Sequence, residues 1–452
     1  MKVRFVRPHL FDGRASDALE PLAFAVLAGL TPPEIELSLA DERLAAVPVE
    51  APADLAAITV ETYTARRAYQ LADRFRARGV PVVMGGYHPT FLPDEALAHA
   101  DAVVLGDAEP VWGEVLRDAA RGRLRPTYRG DDDPPLDGVV FDRRIFRGLG
   151  YPPIAAVQVG RGCRYACDFC SIHSFYGSRV RQRPIGQVVE EIAALGRRNV
   201  LIVDDNLFID RDHAARLFQA LIPLRIRWGC QVSIDVAGAP ELLALMAESG
   251  CVAALVGFES LDPGNLRQMN KGWSLRHLDL RSAVARFHDH GIMVYGSFIF
   301  GYDHDTADTI QRTVDVALEA KLFLANISPL TPMPGSRLFD RLRDQGRLRH
   351  ARWWLDPAYR YGDVTFVPAR MTPEALTARC VQARRDFYAA GAIASRLMHP
   401  QANARTLRHA ALYLAANLVT RRELRAKIGR PLGGPEPGVP ACGSDPVASS
   451  SR

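Results

Sequence analysis

The sequence lacks two features that would decide its class at once: a long apolar run and a strong excess of charge of one sign. No uninterrupted stretch of about 18 apolar residues occurs, so no membrane-spanning helix is expected. The 56 basic and 51 acidic residues leave a net charge of +5, which is small for 452 residues and argues against a nucleic-acid-binding protein. Residues 1–8 lead directly into a strand-like pattern without the apolar core of a signal peptide, so we expect a cytoplasmic protein.

Cysteine is too sparse, and odd in number, for a disulfide scaffold. The chain contains seven cysteines and shows no secretion signal. Four of them are scattered along the sequence: Cys230, Cys251, Cys380 and Cys442. Scattered cysteines usually serve as small buried apolar side chains. The remaining three fall within one short segment, where thiols can act together.

Strand-like and helix-like segments alternate along the first part of the chain. The predicted strands are residues 3–6, 35–39, 55–60, 80–84 and 102–105, and the predicted helices are 21–30, 65–78, 94–100 and 110–121. Near-continuous apolar strands separated by single helices indicate a parallel sheet with helices on both faces. We therefore expect an α/β, doubly wound (Rossmann-like) domain over residues 1–130.

One edge of this predicted sheet is expected to bind a ligand, because ligands bind such sheets at the carboxyl ends of the strands. The glycines and polar side chains that follow these strand ends are Thr62, Gly85, Gly86, His88, Gly106 and Glu109. Glycine lets the backbone approach a bulky ligand closely. The sequence therefore predicts a site for a large ligand at this edge.

A second alternation follows a polar, turn-rich stretch at residues 131–153, which predicts a linker. The predicted strands are residues 155–159, 200–203, 229–234, 252–257, 293–300 and 324–328. The predicted helices are 185–195, 211–221, 241–249, 279–290 and 306–320. This number of units favours a partial (β/α)6 barrel over residues 154–335 rather than a complete eight-unit barrel, with functional groups at the carboxyl ends of the strands.

A mainly helical C-terminal region is predicted over residues 336–430, with helices at 373–397 and 405–426. Four aromatic residues precede these helices: Trp353, Trp354, Tyr359 and Tyr361. They either line a pocket for an apolar substrate or pack in the core, which is the commoner role of grouped aromatic residues. Residues 431–452 are rich in glycine, proline and serine and are predicted to be disordered.

Three cysteines follow the first predicted barrel strand, with three and then two residues between them: Cys163, Cys167 and Cys170. Thiolates so close together on a glycine-led loop can bind one metal centre. A structural zinc site needs four ligands, and His173 is the candidate for the fourth. Three thiolates without a fourth suit an iron–sulfur cubane that leaves one iron open to a small molecule.

The Cys-x3-Cys-x-Phe-Cys spacing after the first strand of a partial barrel resembles the motif of the radical S-adenosylmethionine (SAM) superfamily. The resemblance implies a [4Fe–4S] cluster on the three cysteines, whose open iron chelates SAM. An electron from the cluster then cleaves SAM to give a 5′-deoxyadenosyl radical. The resemblance also implies an external electron donor such as flavodoxin or ferredoxin.

The same resemblance implies SAM contacts at the positions where family members have them. These positions carry Phe169, beside the adenine, then Arg183 or its neighbour Arg181, and Asp204, Asp205, Ser233 and Glu259. Two assignments have structural alternatives. The usual Gly-Gly-Glu is absent at Asp204 and Asp205, and these carboxylates can instead cap the following helix. Arg183 can instead lie on a solvated basic face.

The flanking segments resemble those of a subgroup in which a cobalamin-binding domain precedes the barrel. The resemblance covers residues 85–90 and 104–109, and residues 331–336, which close the barrel. It implies that the six edge residues, from Thr62 to Glu109, contact cobalamin. The Asp-x-His-x-x-Gly motif that supplies a cobalt-ligating histidine in many cobalamin domains is absent. His88 is then either a cobalt ligand or, as we expect, a histidine that lies at the rim or stabilises a turn.

The subgroup includes enzymes that methylate hopanoids or bacteriochlorophyll precursors. The resemblance therefore implies a methyltransferase acting on an unactivated carbon of a small hydrophobic metabolite. One alternative is a radical SAM cyclase or rearrangement enzyme of secondary metabolism, in which cobalamin is not the methyl donor or is not bound. Another is a metal-stabilised RNA-binding module that uses the basic helix near residues 421–425, although arginines alternate there with leucine and glutamate as on a solvated face.

Overall fold

The computed structural model describes residues 1–15, 18–131, 133–277 and 279–433. It contains two six-stranded sheets whose neighbouring strands are parallel throughout. Helices of the C-terminal region pack against the second sheet, and the aromatic segment before them packs against the first. The α/β fold class with a helical C-terminal region is confirmed.

The first sheet consists of six strands: β1 (Lys2–Arg7), β2 (Glu36–Asp41), β3 (Leu55–Thr59), β4 (Val82–Gly85), β5 (Ala102–Leu105) and β6 (Thr127–Arg129). Its helices are α1 (Leu22–Gly29), α2 (Ala65–Arg76), α3 (Tyr87–Phe91), α4 (Pro93–Leu97) and α5 (Trp112–Ala120). The strand order is β2-β1-β3-β4-β5-β6, so the direction of strand addition reverses between β1 and β3. Open α/β sheets bind ligands in the crevice at such a reversal.

The second sheet begins with β7 (Ala155–Val157) and continues through β10 (Asn199–Ile202), β11 (Arg227–Val232), β12 (Cys251–Glu259), β13 (Met293–Phe300) and β14 (Leu324–Pro329). The intervening helices are α6 (Ser171–Tyr176), α7 (Ile185–Leu195), α8 (Arg211–Leu221), α9 (Pro240–Glu248), α10 (Pro263–Gln268), α11 (Leu280–Asp289) and α12 (Ala307–Glu319). These strands are neighbours in chain order from β7 to β14. All their carboxyl ends therefore lie at one edge.

A short antiparallel pair, β8 (Gly160–Arg161) and β9 (Arg181–Gln182), leads into the cysteine segment. Gly162 follows β8 with a φ of +90°, and a Cβ atom there would collide with the carbonyl oxygen of Arg179. Only glycine fits this close approach without strain. The glycines before Cys163 thus allow the two strands to pair and set the course of the loop.

The C-terminal region contains α13 (Arg337–Asp344), α14 (Pro373–Phe387), α15 (Ala390–Leu397) and α16 (Leu407–Lys427). The single helix predicted over residues 373–397 is wrong, because the chain turns at Tyr388. The Tyr388 hydroxyl donates to the Ala325 carbonyl oxygen at 3.0 Å, and Arg396 donates to the Phe387 carbonyl oxygen at 2.7 Å. The Tyr388 side chain is thus anchored on β14, and the Arg396 side chain satisfies the Phe387 carbonyl oxygen that a continuous helix would bond to a backbone N–H.

The aromatic residues after the barrel pack in a core, as is common for grouped aromatic residues. Trp353, Trp354 and Tyr359 are buried against apolar side chains of the first sheet. The Trp353 indole donates to the Pro332 carbonyl oxygen at 3.1 Å, and the Trp354 indole donates to Glu95 at 2.9 Å. This core joins the C-terminal region to the first sheet.

Residues 431–433 of the predicted tail are ordered against the rest of the protein. Pro431 pairs with Arg360, and Leu432 is buried. The remainder of the predicted tail, residues 434–452, lies outside the described residues, as does Cys442. Among the helices of the described residues, none is long and apolar enough to cross a membrane.

Candidate active site between the two sheets

The three clustered cysteines lie on the loop between β8 and α6, and all three are free and half-buried. Burial raises the pKa of each thiol, and that of Cys167 rises to about 12. Charge on Cys163 and Cys170 raises the pKa of Cys167 further, so the three thiols interact electrostatically. Backbone N–H groups of Ile172 and His173 partly offset the effect of burial at Cys170. The loop therefore presents three thiols that need a positive partner to ionise at neutral pH.

The chemistry of these donors fits an iron–sulfur cluster. Within the described part of the chain, no three His, Cys, Asp or Glu side chains gather as the ligands of a single ion would. The structure thus does not form the zinc site with His173 as a fourth ligand. In a cubane each cysteine binds a different iron, so its three sulfur atoms need not converge on one point.

Asp204 and Asp205, at the carboxyl end of β10, hold the backbone that leads into the loop. The Val159 N–H donates to Asp204 at 2.7 Å, and the Gly162 N–H donates to Asp205 at 2.8 Å. Burial raises the pKa of Asp204 to about 8, and Asp205 adds to that rise. These carboxylates therefore position the cysteine loop, a contact that the helix-cap alternative did not anticipate.

Asp168, between the second and third cysteines, fixes the loop from the other side. The Tyr302 hydroxyl donates to Asp168 at 2.5 Å, and Arg341 forms an ion pair with it at 2.7 Å. Its carbonyl oxygen also accepts from the Leu338 N–H at 2.9 Å. Asp168 was not singled out from the sequence, although its position inside the cysteine motif was a signal. The C-terminal region thus helps to hold the loop.

Glu259 ends β12 with a φ of +65° and forms a buried ion pair with Lys271 at 2.9 Å. Lys271 also donates to the Gly257 carbonyl oxygen at 2.8 Å. Burial alone would lower the pKa of Lys271, but Glu259 and the nearby Cys167 raise it. Sequence reasoning found Glu259 but missed Lys271, which lies in a stretch without clear periodicity. The pair brings one carboxylate and one ammonium group beside the thiols.

Ser233 and Phe169 lie on the same side of the barrel as the cysteines. The Ser233 hydroxyl accepts a hydrogen bond from Asn206 at 3.0 Å and donates to Asp235. Asn206 is itself close enough to Cys163 to lower its pKa. Phe169 is half-buried and packs against the barrel core. The ends of β10 and β11 thus border the cysteine loop.

Arg183 does not join these residues. Its guanidinium is buried and donates to the Gln158 carbonyl oxygen at 2.8 Å and to Glu191 of α7 at 2.7 Å. It is not on a solvated face either. Arg181 donates to Asp107 at 2.6 Å and to the Pro134 carbonyl oxygen at 2.9 Å. Both arginines are occupied by partners from outside the cysteine loop.

A cavity of about 320 Å³ lies at the carboxyl ends of β1, β3, β4 and β5. Four of the predicted edge residues line it: Gly85, Gly86, Gly106 and Glu109. Side chains from around the cysteine loop line its opposite wall: Gln158, Arg161, Phe175 and Tyr176. The ligand-binding edge of the first sheet therefore faces the cysteine loop directly.

Tyr87 also spans the two sheets. Its ring contacts that of Phe175 edge-on, with 4.6 Å between the centroids. Burial raises its pKa, and nearby Tyr176, Asp205 and Cys170 raise it further, which places its hydroxyl close to the cysteine loop. The sequence carried a signal for Tyr87, because it follows Gly85 and Gly86 directly, but this residue was not singled out.

Ion pairs connect the first-sheet edge of the cavity to the segment that leads into the cysteine loop. Arg161, two residues before Cys163, pairs with Glu109 at 2.6 Å and with Asp107 at 3.3 Å. Burial alone would lower the pKa of Arg161, but these carboxylates raise it. Glu109 therefore lines the cavity while its carboxylate is committed to Arg161. This pairing joins segments distant in sequence, so local patterns gave no sign of it.

Thr62 and His88 do not line the cavity, contrary to their assignment as cobalamin contacts. The His88 ring is fully buried, with one nitrogen 3.3 Å from the Thr62 hydroxyl and the other 3.0 Å from Glu95. Glu95 also accepts from Tyr69 and from Trp354. His88 thus stabilises the turn after β4 from inside the core, behind the cavity and away from its rim.

Comparisons with known proteins agree with this geometry. The sequence matches the Radical SAM superfamily over residues 157–317. It is 32% identical over 390 residues to the bacteriochlorophyllide d C-12(1)-methyltransferase of Chlorobaculum tepidum, covering 83% of this chain and 84% of that protein. It is 26% identical to the hopanoid C-2 methylase of Rhodopseudomonas palustris, covering 73% and 66% of the two chains. The resemblance inferred from the cysteine motif is confirmed.

The fold is also shared with a solved structure. The cobalamin-dependent SAM radical enzyme OxsB, with aqua-cobalamin and SAM bound, superposes with a TM-score of 0.67. The match covers 93% of this chain and 71% of that one at 12% sequence identity. At this identity the similarity concerns the fold: a parallel α/β sheet followed by a partial barrel and a helical region.

Proposed function

Since the chain belongs to the radical SAM superfamily, in the family of the bacteriochlorophyllide and hopanoid methyltransferases, we propose that it is a cobalamin-dependent C-methyltransferase. The observation that carries this proposal is the cavity between the two sheets, whose one wall is the glycine-rich sheet edge and whose other wall borders the cysteine loop. A site of this kind can hold two cofactors against one substrate.

Cys163, Cys167 and Cys170 would hold the [4Fe–4S] cluster, and Gly85, Gly86 and Gly106 would form the floor beneath cobalamin. When bound, the cluster and SAM would supply a 5′-deoxyadenosyl radical to remove a hydrogen atom from the substrate, and cobalamin would supply the methyl group for the resulting carbon radical. Lys271, beside Cys167, would supply a positive charge for the SAM carboxylate, and its ion-pair partner Glu259 would supply a negative charge for the SAM amino group.

The protein's own contribution is orientation and the exclusion of water. Asp204, Asp205 and Asp168 hold the cysteine loop from both sides through buried hydrogen bonds and an ion pair. Phe175 and Tyr176 close the cavity with aromatic surface, and Arg161 ties its two walls together. A dry, fixed site protects a carbon radical from side reactions and keeps it near the methyl donor.

The names of the relatives give bacteriochlorophyllide d and a hopanoid as their substrates. By analogy, we propose that this chain also acts on a small, hydrophobic metabolite and methylates it at an unactivated carbon. The enzyme would work in the cytoplasm with an electron donor such as flavodoxin or ferredoxin. The alternative, a cyclase or rearrangement enzyme with the same core, differs only in what becomes of the substrate radical.

The test is anaerobic reconstitution with iron, sulfide and hydroxocobalamin, followed by turnover with SAM, a reductant and bacteriochlorophyllide d or a hopanoid. A product heavier by one methylene group, formed together with 5′-deoxyadenosine, supports the methyltransferase. A product with unchanged carbon count alongside 5′-deoxyadenosine supports the cyclase alternative and refutes the proposal.

Cysteine variants control this experiment. Cys167→Ala should abolish cluster loading and the formation of 5′-deoxyadenosine, because one of three thiolate ligands is lost. The matched control is Cys380→Ala, since Cys380 is buried in the C-terminal region far from the loop in sequence. If Cys167→Ala still cleaved SAM, the cluster assignment would be wrong.

A further inference from the structure

Helix α16 has two unlike faces. On its inner face, the Tyr413 hydroxyl donates to the Ile393 carbonyl oxygen at 2.9 Å, and the Asn417 amide donates to the Phe323 carbonyl oxygen at 3.1 Å. Both side chains are fully buried against α15 and the start of β14. These bonds hold the inner face of the helix against the protein and leave the opposite face turned outwards.

The outward face of α16 is apolar. It exposes five large apolar side chains over less than four turns: Leu407, Leu412, Leu414, Leu418 and Val419. Leu407 is 92% exposed and Leu418 is 57% exposed, and the intervening Ala411 and Ala415 are also exposed. Single exposed leucines are ordinary on a protein surface, but a continuous apolar stripe marks a binding surface.

Arginines bracket this stripe at both ends. At its start, Arg408 borders a depression of about 320 Å³ whose other lining residues are Arg198, Arg225 and Arg227. At its end lie Arg421, Arg422 and Arg425, beside Leu418. Among the described residues, none of these seven guanidinium groups forms an ion pair or a hydrogen bond with another side chain. The face therefore carries a positive charge that the described residues leave unneutralised.

We propose that the outward face of α16, with its flanking arginines, binds the surface of an anionic lipid bilayer. A helix with apolar side chains bordered by arginine lies in the interface plane, with the apolar stripe at the boundary of headgroups and acyl chains. The arginines then pair with lipid phosphates, which also attract the protein over a Debye length. The helix lies on the membrane and does not cross it. This proposal does not depend on the reaction the enzyme catalyses.

The charge and the apolar surface of this face favour an anionic bilayer over two other partners, a second copy of the chain and RNA. A second copy of the chain would bring two arginine-rich faces together, and like charges in contact are unfavourable. RNA would satisfy the arginines, but single-stranded RNA is bound on exposed aromatic side chains. The one aromatic residue of α16, Tyr413, is buried. RNA would also leave the apolar stripe without a partner, whereas an anionic bilayer satisfies both parts of the face.

The test is flotation of the full-length protein with vesicles of phosphatidylcholine alone or mixed with phosphatidylglycerol. We expect binding to the anionic vesicles only, weakened by salt. Val419→Glu should weaken it about tenfold or more, and Arg422→Glu about fivefold or more, because each basic residue near the surface contributes on the order of 1 kcal/mol, which is about a factor of five.

Two matched variants control for charge and exposure. Val367→Glu changes a valine that is 47% exposed, as Val419 is 45% exposed, but lies outside α16. Arg121→Glu changes an exposed arginine after α5. Both controls should bind like the unchanged protein, and all four variants should keep its melting temperature and iron content.

Several results would overturn the proposal. One is absence of binding to the anionic vesicles, and another is equal loss of binding in the α16 variants and their controls. A third is retention of poly(U) RNA in place of vesicles by the unchanged protein. A fourth is a dimer in light scattering that Val419→Glu converts to a monomer, which would assign the face to a second copy.

Discussion

At the residue scale, Asp204 is the buried carboxyl group whose protonation affects folding most directly. It accepts the Val159 N–H, and its pKa is raised to about 8 by burial and by Asp205. An unfolded aspartate releases its proton near pH 4. Between these values the folded state binds the extra proton, so stability present at low pH is lost as pH rises through this window.

We therefore expect Asp204→Asn to flatten the pH dependence of stability in the metal-free protein. Asparagine keeps an oxygen for the Val159 N–H but has no charge to desolvate. Between pH 5 and pH 8, the free energy of unfolding of the unchanged protein should fall by on the order of 1 kcal/mol per pH unit more than that of the variant. Urea unfolding at both pH values measures this. Parallel pH profiles for the two proteins would contradict it.

At the scale of elements, the long helices and strands could be predicted from sequence because apolar periodicity reveals them. Helices α7 and α8 and strand β13 have the predicted bounds. The short elements β6, β8, β9, α3 and α6 were missed, since each is too brief to show a period. The turn at Tyr388 was missed for another reason: its partner, Ala325, is distant in sequence.

The same difference, between local sequence patterns and contacts made only in the folded chain, explains which residues of the candidate site could be predicted. The cysteines and the edge glycines were found because loop position and spacing are visible in the sequence. Lys271, Tyr87 and Arg161 act through partners that only folding brings near. His88 was placed at the rim because it follows β4 closely, but α3 turns its ring inwards to Glu95.

The last residue of β4, Gly85, supports a prediction at this scale. A Cβ atom at Gly85 would be 3.7 Å from Val104, an ordinary contact, and the rest of a larger side chain would occupy the cavity that both residues line. We expect Gly85→Val to prevent corrin uptake without loss of iron. The matched control is Gly113→Val on α5, outside the cavity. Corrin absorbance and iron content measure both, and normal corrin content in Gly85→Val would count against this binding edge.

At the scale of the whole molecule, the two sheets are joined by largely buried charges. Arg161 and Glu109 pair at 2.6 Å across the cavity, and Arg143 pairs with Glu20 from the first sheet's segment and with Glu191 of α7. Residues 131–153, predicted to be a linker, thus contribute an arginine to this junction. The sheets are therefore held together by specific pairs in addition to apolar packing.

Removing Arg161 should weaken this junction strongly. Arg161→Leu leaves the partly buried carboxylate of Glu109 without its partner. We expect the free energy of unfolding to fall by about 2 kcal/mol, between the cost for an exposed pair and that for a fully buried pair. Arg125→Leu removes a pair of similar length, 2.5 Å to Glu114, but an exposed one that water screens, so its loss should cost much less. Urea unfolding of the two variants measures the difference. Equal losses would show that the junction does not depend on Arg161.

The position of Arg161, two residues before the first cysteine, has one more consequence. Its side chain reaches the first sheet while its backbone leads into the loop that carries the thiols. A rotation of the first sheet relative to the second would therefore also move the cysteine loop. The distance between the two walls of the cavity is therefore tied to the Arg161–Glu109 ion pair, and a ligand that needed a wider cavity would have to break that pair.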